Sequence, residues 1–413
     1  MRILYSHYLT NDHHPAAQMV GSIAEELRRL GHSVLVHRSN GPDLAAPPRL
    51  AGRERPRAEA RLRGMAWFLK ALASNLSMTR GDVAAIRRFA PDVVLARQDA
   101  YRVSMPLAAS RLAVPLVTYA DSPVAHETRC FRHDMDRWHP PGLVEAIERW
   151  TLHRSRAVVT ISRPAARRLG RYGLRTPIHV VPNGVDPARF PRLTPVERER
   201  SRRELGLTAP RVVGFAGSFK AFHGIDRLRE MILATSDRAD TQWLLIGDGP
   251  ERGGLEADLA GRAGVVSLGR RKGDEMGRLL GLMDVAVAPH ARFAGDFYFC
   301  PLKVLEYAAA GCAVVASDQG DIPELLDHGR AGVMVSGDAT DSWARAVRDL
   351  LDDDERRRSL GAAARARALS RYTWAKTAGR LADILGEAVR EGASVPASTR
   401  EESREPRIET VPA

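Results

Sequence analysis

The stretch DFYFCPLKVLEYAAAGCAVVASDQGDIPE, residues Asp296 to Glu324, decides how the rest of the chain is read. Its middle predicts a helix that begins just after Pro301 and stops at Gly311, the usual places for a proline and a glycine at helix ends. Lys303 follows the helix start and Glu306 lies one turn further in. The apolar run Cys312 to Ala316 then reads as a buried strand. Ser317 to Asp321 is polar and contains a glycine, so the strand ends in a loop, and Ile322-Pro323-Glu324-Leu325 opens another helix. Loop, helix, strand, loop and helix leave two helix starts whose backbone N–H groups can point at an anion.

Working outward, the same alternation runs in both directions. Upstream, strands are expected at Val212 to Phe215, Trp243 to Ile246, Val265 to Gly269 and Asp284 to Pro289. The first half repeats it with strands at Arg2 to Tyr5, Ser33 to His37, Pro91 to Leu95, Pro115 to Tyr119, Ala157 to Ile161 and Ile178 to Val181. Helices are expected at Ser22 to Leu30 and Met65 to Leu76, with a loop over 41–64. Two sets of alternating strands and helices imply an α/β fold of two doubly wound parallel sheets, each with helices on both faces. A length of 413 residues suits two domains.

The boundaries follow from composition. Residues 1–185 form the first domain, and the charged segment 186–210 is the linker. Residues 211–370 form the second domain, 371–390 a last amphipathic helix, and 391–413 a Glu/Ser/Arg/Pro-rich disordered tail. No apolar run approaches a membrane span, and MRILYSHYLT reads as a strand rather than a leader. Cys130, Cys300 and Cys312 show no metal spacing, so reduced thiols in a cytoplasmic chain are expected.

The charge is lopsided. Of the formal net charge of +12, residues 1–185 carry all, with 28 Lys/Arg against 15 Asp/Glu. Such a half can face an anionic membrane or an anionic acceptor, or be an arginine-rich surface without a partner. Arg53, Arg55, Arg57, Arg61 and Arg63, with the apolar face Met65, Phe68, Leu69, Leu72 and Leu76, are the candidates for peripheral contact at a membrane's inner face. An ordinary domain helix with a charged lead-in is the other reading.

Glu306-Tyr-Ala-Ala-Ala-Gly311-Cys-Ala-Val-Val resembles the signature of family 4 glycosyltransferases, retaining nucleotide-sugar enzymes of the GT-B fold. The PNGVDxxxF turn at Pro182, Gly247-Asp248-Gly249-Pro250, Pro91-Asp92-Val93-Val94 and the Gly-His before the second strand are similar to the same family. Three places depart from its pattern. Tyr298 stands eight residues before Glu306 where the family has a first glutamate, and His14-Pro15 replaces a glycine pair. In the loop Ala216 to Gly224, Ser218 replaces the family's arginine and His223 its lysine. The form PLKxxEY, preceded by FYF, is similar to a variant subgroup in which a lysine precedes the ribose-binding glutamate.

The resemblance implies a retaining, metal-independent hexosyltransferase whose substrate is a nucleotide-sugar. It places the donor on Gly217, Ser218, Lys220, His223, Leu302, Lys303 and Glu306. Glu306 would accept from both hydroxyls of the ribose, since an ionised carboxylate is a two-oxygen acceptor. Lys220 and Lys303, with N–H groups of the helix starts near Pro301 and Gly320, would hold the diphosphate. No metal or cofactor and no nucleic acid is expected. The acceptor is a small molecule, a glycan or a lipid-linked sugar.

Asp121 and His126, just beyond the fourth strand, are the candidate catalytic or acceptor-contacting residues, because ligands bind outside the carboxyl ends of such strands. Asp121 occupies the place where relatives often carry a histidine. His13-His14 reads as ligands, bases or solvated loop residues. Asp134-Met-Asp136 fits a metal-diphosphate motif, but no strand precedes it, and chance accounts for it. Two other functions share this reading: a sugar-nucleotide epimerase of the same fold, and a catalytically silent GT-B partner protein.

Overall fold

Apolar runs rich in Val, Ile and Ala become the strands of two parallel sheets in a computed structural model of the chain. The described residues are 1–9, 15–39, 57–131, 142–262, 264–271, 273–292, 295–337, 339–394 and 408–410. His13, His14, Arg53, Arg55 and Asp134-Met-Asp136 lie outside them, as do the side chains of Arg57, Arg61, Arg63, Met65, Phe68 and Cys130. In chain order the strands are β1 (Arg2–His7), β2 (Ser33–Arg38), β3 (Val93–Arg97), β4 (Leu116–Ala120), β5 (Ala157–Thr160) and β6 (Ile178–Val180). There follow β7 (Arg211–Gly217), β8 (Thr241–Gly247), β9 (Val265–Leu268), β10 (Val285–Ala288), β11 (Ala313–Ser317), β12 (Val333–Val335) and β13 (Ile408–Thr410).

The chain divides into two units. Unit 1 is Met1–Pro182 with Trp374–Ala413, and unit 2 is Asn183–Thr373. Each is a doubly wound parallel sheet, the two Rossmann-like domains of a GT-B fold. In unit 1 the order is β2-β1-β3-β4-β5-β6-β13. Ile3, Val94, Val117 and Val158, all fully buried, form the middle of that sheet. In unit 2 the order is β9-β8-β7-β10-β11-β12, with Val213, Phe215, Val287 and Val315 at its centre and Trp343 buried beside them.

The helix Trp374–Ser394 belongs to unit 1. Its Leu381, Leu385 and Ala388 are buried, and it packs on the helix Pro15–Arg29 and on β3 and β4. Thr377 fixes its first turn by donating to the Pro182 carbonyl at 3.0 Å.

Several elements differ from expectation. Residues 186–210 are not a linker but part of unit 2. There Pro195–Glu204 is a helix with a capping box between Thr194 and Glu197. The run ERERSRRE is charged because two of its arginines face inward: Arg198 and Arg202 both pair with Asp284, at 3.0 and 2.7 Å. The helix expected at Met65–Leu76 spans Arg57–Phe89, so Arg57 to Gly64 are helical rather than loop. Its extra turns hold no proline and are pinned by polar groups, which an apolar-stripe reading cannot see. Asn75 donates to the Tyr101 carbonyl and accepts from the Val103 amide, and Asp82 accepts from His37, Ser39 and Ser104. Leu72 packs inward, whereas Leu69 and Leu76 are exposed. The segment after Glu391 is not wholly a tail: the helix runs to Ser394, and Ile408–Thr410 pairs in parallel with β6. Isoleucine and threonine suit a strand, though the surrounding composition does not.

Candidate functional site

Strand order fixes where each unit can bind a ligand. In unit 2 the chain leaves β7 for β8 on one side, and returns through β10 on the other. At such a reversal the loops diverge and leave a crevice outside the carboxyl ends of the two strands. The loops here are Ser218–Gly224 after β7 and the segment opened by Pro289 and His290 after β10.

Glycines let these loops meet. Gly224 has φ +70°, and a Cβ there would fall 1.7 Å from the Pro289 carbonyl oxygen. A Cβ on Gly247, at φ +123°, would fall 1.9 Å from the Gly217 carbonyl oxygen. Any side chain at either position would push the crevice apart. Between the loops the Ala291 amide donates to the Phe222 carbonyl at 3.0 Å. Arg227 and Gln319 donate to the His290 carbonyl at 2.9 and 3.2 Å. An aromatic cluster of Phe215, Phe222, Phe297 and Phe299 braces His223 and His290, whose rings lie 5.8 Å apart. Tyr298, in place of the family's first glutamate, is fully buried and belongs to this packing.

The helix Leu302–Ala310 brings the cation. Pro301 precedes its first turn, and Gly311, at φ +84°, ends it. Tyr307 locks it to β7, its hydroxyl accepting from the Ala216 amide at 2.7 Å and donating to the same residue's carbonyl. The Lys303 ammonium lies 4.6 Å over the Phe215 ring and 3.0 Å from where a Cβ on Gly217 would stand. It is sealed from solvent and has no acceptor among the described residues.

Electrostatics here follow from burial. Desolvation pushes the Lys303 pKa down to about 7, against the pull of Glu306. It drives His223 down to about 2, helped by Lys303 and Lys220, and holds His290 well below the usual imidazole range. Both histidines are therefore neutral at pH 7, and the Nδ1 of each is buried without a hydrogen-bond partner among the described residues. Glu306, half-buried one turn beyond Lys303, has its pKa raised by burial, against the pull of Arg189 and Lys303. Lys220 is exposed, its ammonium 5.8 Å from the Phe222 ring, and Ser218 is exposed beside it. The structure thus brings Lys220, His223 and Lys303 around one crevice, with Gly217 giving close access to the backbone. Leu302 begins the helix that carries Lys303 and Glu306. The helix expected after Gly320 is a single turn, Ile322–Leu325.

Unit 1 has its own reversal, between β1 and β3. There Arg97 at the end of β3 donates through Nε and Nη2 to one oxygen of Asp121, at 3.0 and 2.8 Å. The other Asp121 oxygen and the Tyr5 hydroxyl are buried without hydrogen-bond partners among the described residues. Asp121 follows β4 in a loop, but His126 and Glu127 sit in the helix Val124–Phe131. That helix is anchored by buried Glu148, which accepts from the Val124 and Ala125 amides and from the Tyr172 hydroxyl. Burial raises the Glu148 pKa despite these donors.

Sequence reasoning missed His290, Arg97 and Tyr5. His290 was findable, since it directly follows the strand that adjoins β7 at the reversal. Arg97 carried only a weak signal, a charge closing an otherwise apolar strand. Among the described residues no group of three or more His, Cys, Asp or Glu could hold a metal ion. No described helix is long and apolar enough to cross a membrane.

Two family models match, one on each half. The model described as Glycosyltransferase Family 4 covers residues 16–189, and that described as Glycosyl transferases group 1 covers residues 210–353. The chain belongs to the GT-B glycosyltransferase superfamily. Among curated relatives of this GT-B chain, a D-inositol 3-phosphate glycosyltransferase of Corynebacterium kroppenstedtii is 31% identical over 230 residues, 53% of this chain and 50% of the relative. A 2-deoxystreptamine glucosyltransferase of Streptomyces kanamyceticus is 27% identical over 321 residues, 72% of this chain and 77% of the relative. Against the first of these the match spans about half the relative's length. Among solved structures, Anabaena HepE in complex with UDP has a TM-score of 0.69 at 17% identity, covering 94% of this chain and all of that one. Sucrose-phosphate synthase from Thermosynechococcus elongatus has the same TM-score at 16% identity, over 95% of this chain. At these identities the structural likeness speaks to the fold.

Proposed function

We propose that this GT-B protein transfers a hexose-type sugar from a nucleotide-sugar to a hydroxylated acceptor, with retention of anomeric configuration and without a metal. The observation that carries the reading is the crevice of unit 2. Lys303, on its helix, and His223 and His290, on loops held by glycine contacts and aromatic packing, each present a buried nitrogen with no hydrogen-bond partner among the described residues. A buried cation without an acceptor is costly, and a diphosphate would supply one. Lys303 and exposed Lys220 take the diphosphate charge, and the neutral imidazoles donate to its oxygens. Glu306 accepts from the ribose hydroxyls. Stabilising the diphosphate as its charge grows is the electrostatic part of the catalysis. The leaving phosphate oxygen takes the acceptor's proton, and the acceptor's oxygen bonds to the anomeric carbon on the face that the diphosphate leaves.

Asp121 and His126 of unit 1 are assigned to the acceptor side. The relatives' names support a small polyol as that acceptor, being D-inositol 3-phosphate in one and 2-deoxystreptamine in the other. A cytoplasmic site of action, with Leu69, Leu76 and the arginines of 53–63 resting on an anionic membrane, fits the basic first half.

The experiment is a panel of UDP, GDP, ADP and dTDP sugars with cyclitol acceptors. It is read as acceptor-dependent nucleotide release, with and without EDTA, and the product's anomeric configuration is determined by NMR. Release without acceptor consumption, or strict dependence on magnesium, overturns the reading. Isomerisation of the donor sugar would show an epimerase instead.

A further inference from the structure

The opposite, amino-terminal end of the unit 2 sheet carries a second cavity, of about 520 Å³. Arg211, the first residue of β7, and Asp284, just before β10, line it. Since β7 has seven residues at about 3.3 Å each, this cavity lies roughly 20 Å from Lys303 at the other end of the strand.

Its wall is cationic. Arg192, Arg198, Arg211, Arg357, Arg358 and Arg365 all line it. These guanidinium groups share two carboxylates, Asp284 and Asp354. Arg192 has no ion pair among the described residues, and its charge helps desolvation lower the pKa of Arg365. Arg365 is turned to the carbonyls of Ala309 and Phe190. Arg211 pairs with Asp354 through Nη2, while its Nε is buried with no acceptor among the described residues. Close like charges and an unused donor around an open volume are costly unless an anion shares the space.

The lining also limits what that anion is. Guanidinium forks match the geometry of phosphate oxygens. Among the described residues lining the cavity none is aromatic; its apolar part is Pro191, Leu193, Pro210 and Met283. No aromatic side chain there offers a nucleotide base a stacking face.

We propose that this cavity is a second anion site, which takes a multiply charged phosphate without an aromatic base: inorganic pyrophosphate or a phosphorylated sugar. It is independent of the donor crevice. The site also touches the crevice's own scaffold, because Ala310 and Gly311 in its wall end the helix that begins with Leu302 and Lys303.

The test uses the full chain in a Lys303→Met, Lys220→Met background, which strips the donor crevice of both cations assigned to phosphate. Calorimetric titration with inorganic pyrophosphate, and separately with glucose 6-phosphate, is run at constant ionic strength. It is then repeated with Arg192→Gln and Arg358→Gln added. Both arginines are exposed, so the added changes leave the fold intact, which the melting temperature verifies. Pyrophosphate binding should persist in the Lys303→Met, Lys220→Met background and weaken at least tenfold with the two glutamines. Glucose 6-phosphate binding as tightly as pyrophosphate assigns the site to phosphosugars, and tenfold weaker binding assigns it to polyphosphate. Binding that is absent in that background alone, or unmoved by the two glutamines, overturns the proposal.

Discussion

Where β3 and β4 end in unit 1, the charged groups engage one another: Arg97 grips Asp121, and Glu148 gathers two amides and a tyrosine hydroxyl. Where β7 and β10 end in unit 2, the Lys303 Nζ, the His223 Nδ1 and the His290 Nδ1 are buried with no hydrogen-bond partner among the described residues. Each group of residues involves a strand beside its unit's reversal of strand order, β3 in unit 1 and β7 and β10 in unit 2, so topology alone does not tell them apart. The difference is in satisfaction. A buried charge that has its partner stabilises its own fold, and one that lacks it destabilises the empty protein and improves the bound one.

The sharpest way to break this contrast is to remove one charge from each unit. Asp121→Ala should destabilise unit 1 by about 3–5 kcal/mol, because it strands a buried guanidinium. Lys303→Met should leave thermal stability unchanged or raise it, since the buried ammonium it removes has no hydrogen-bond acceptor among the described residues. In activity the order reverses. Lys303→Met should lower kcat by about 10²–10³, the usual cost of deleting one donor to a developing anion. Denaturant melts and steady-state kinetics on the same two variants check both halves. A Lys303→Met protein that unfolds early would show that the lysine is structural.

A smaller effect is expected at Glu306. Glu306→Ala should weaken nucleotide-sugar binding by about 1.5–3 kcal/mol, as for hydrogen bonds to a charged group. Calorimetry on a folded variant measures it, and unchanged affinity would remove the ribose assignment.

The smallest effect is also the most diagnostic, a proton. Lys303 titrates near 7 in the fold, against about 10 in an unfolded chain. Between those values the unfolded chain binds the extra proton. Stability from this group therefore rises from pH 7 toward 10, and it is lost as pH falls from 10 to 7, below which both states carry the proton. A diphosphate beside the ammonium raises its pKa again, so nucleotide binding at pH 8 should take up close to one proton, and at pH 6 almost none. Binding enthalpies in two buffers of different ionisation heat read the uptake directly. Lys303→Met should abolish it, and uptake that survives this change would place the proton elsewhere.

The strands were legible because a buried parallel strand is an uninterrupted apolar run, and the helix Leu302–Ala310 because proline and glycine mark its ends. The helix Pro195–Glu204 was not, because its inward residues are arginines aimed at Asp284 and pattern alone reads charge as exposure. The site divides in the same way. Lys303, Glu306 and His223 stand in motifs, so their spacing exposes them. His290 is a lone histidine after a strand, and only the adjacency of β7 and β10 gives it meaning. That Asp121 would be held by Arg97, 24 residues earlier, required knowing that β3 and β4 are neighbours.

The return of Trp374–Ser394 to unit 1 has a consequence for how the protein is made. Unit 2 is one continuous stretch, Asn183–Thr373, whereas unit 1 needs residues from both sides of it. In order of synthesis, unit 2 is therefore complete while the helix Pro15–Arg29 still lacks the helix Trp374–Ser394 that packs on it. The apolar surface waiting there belongs to the earliest synthesised part of the chain. It is the surface on which a chaperone would have to act, and for the whole time that about 190 further residues take to appear.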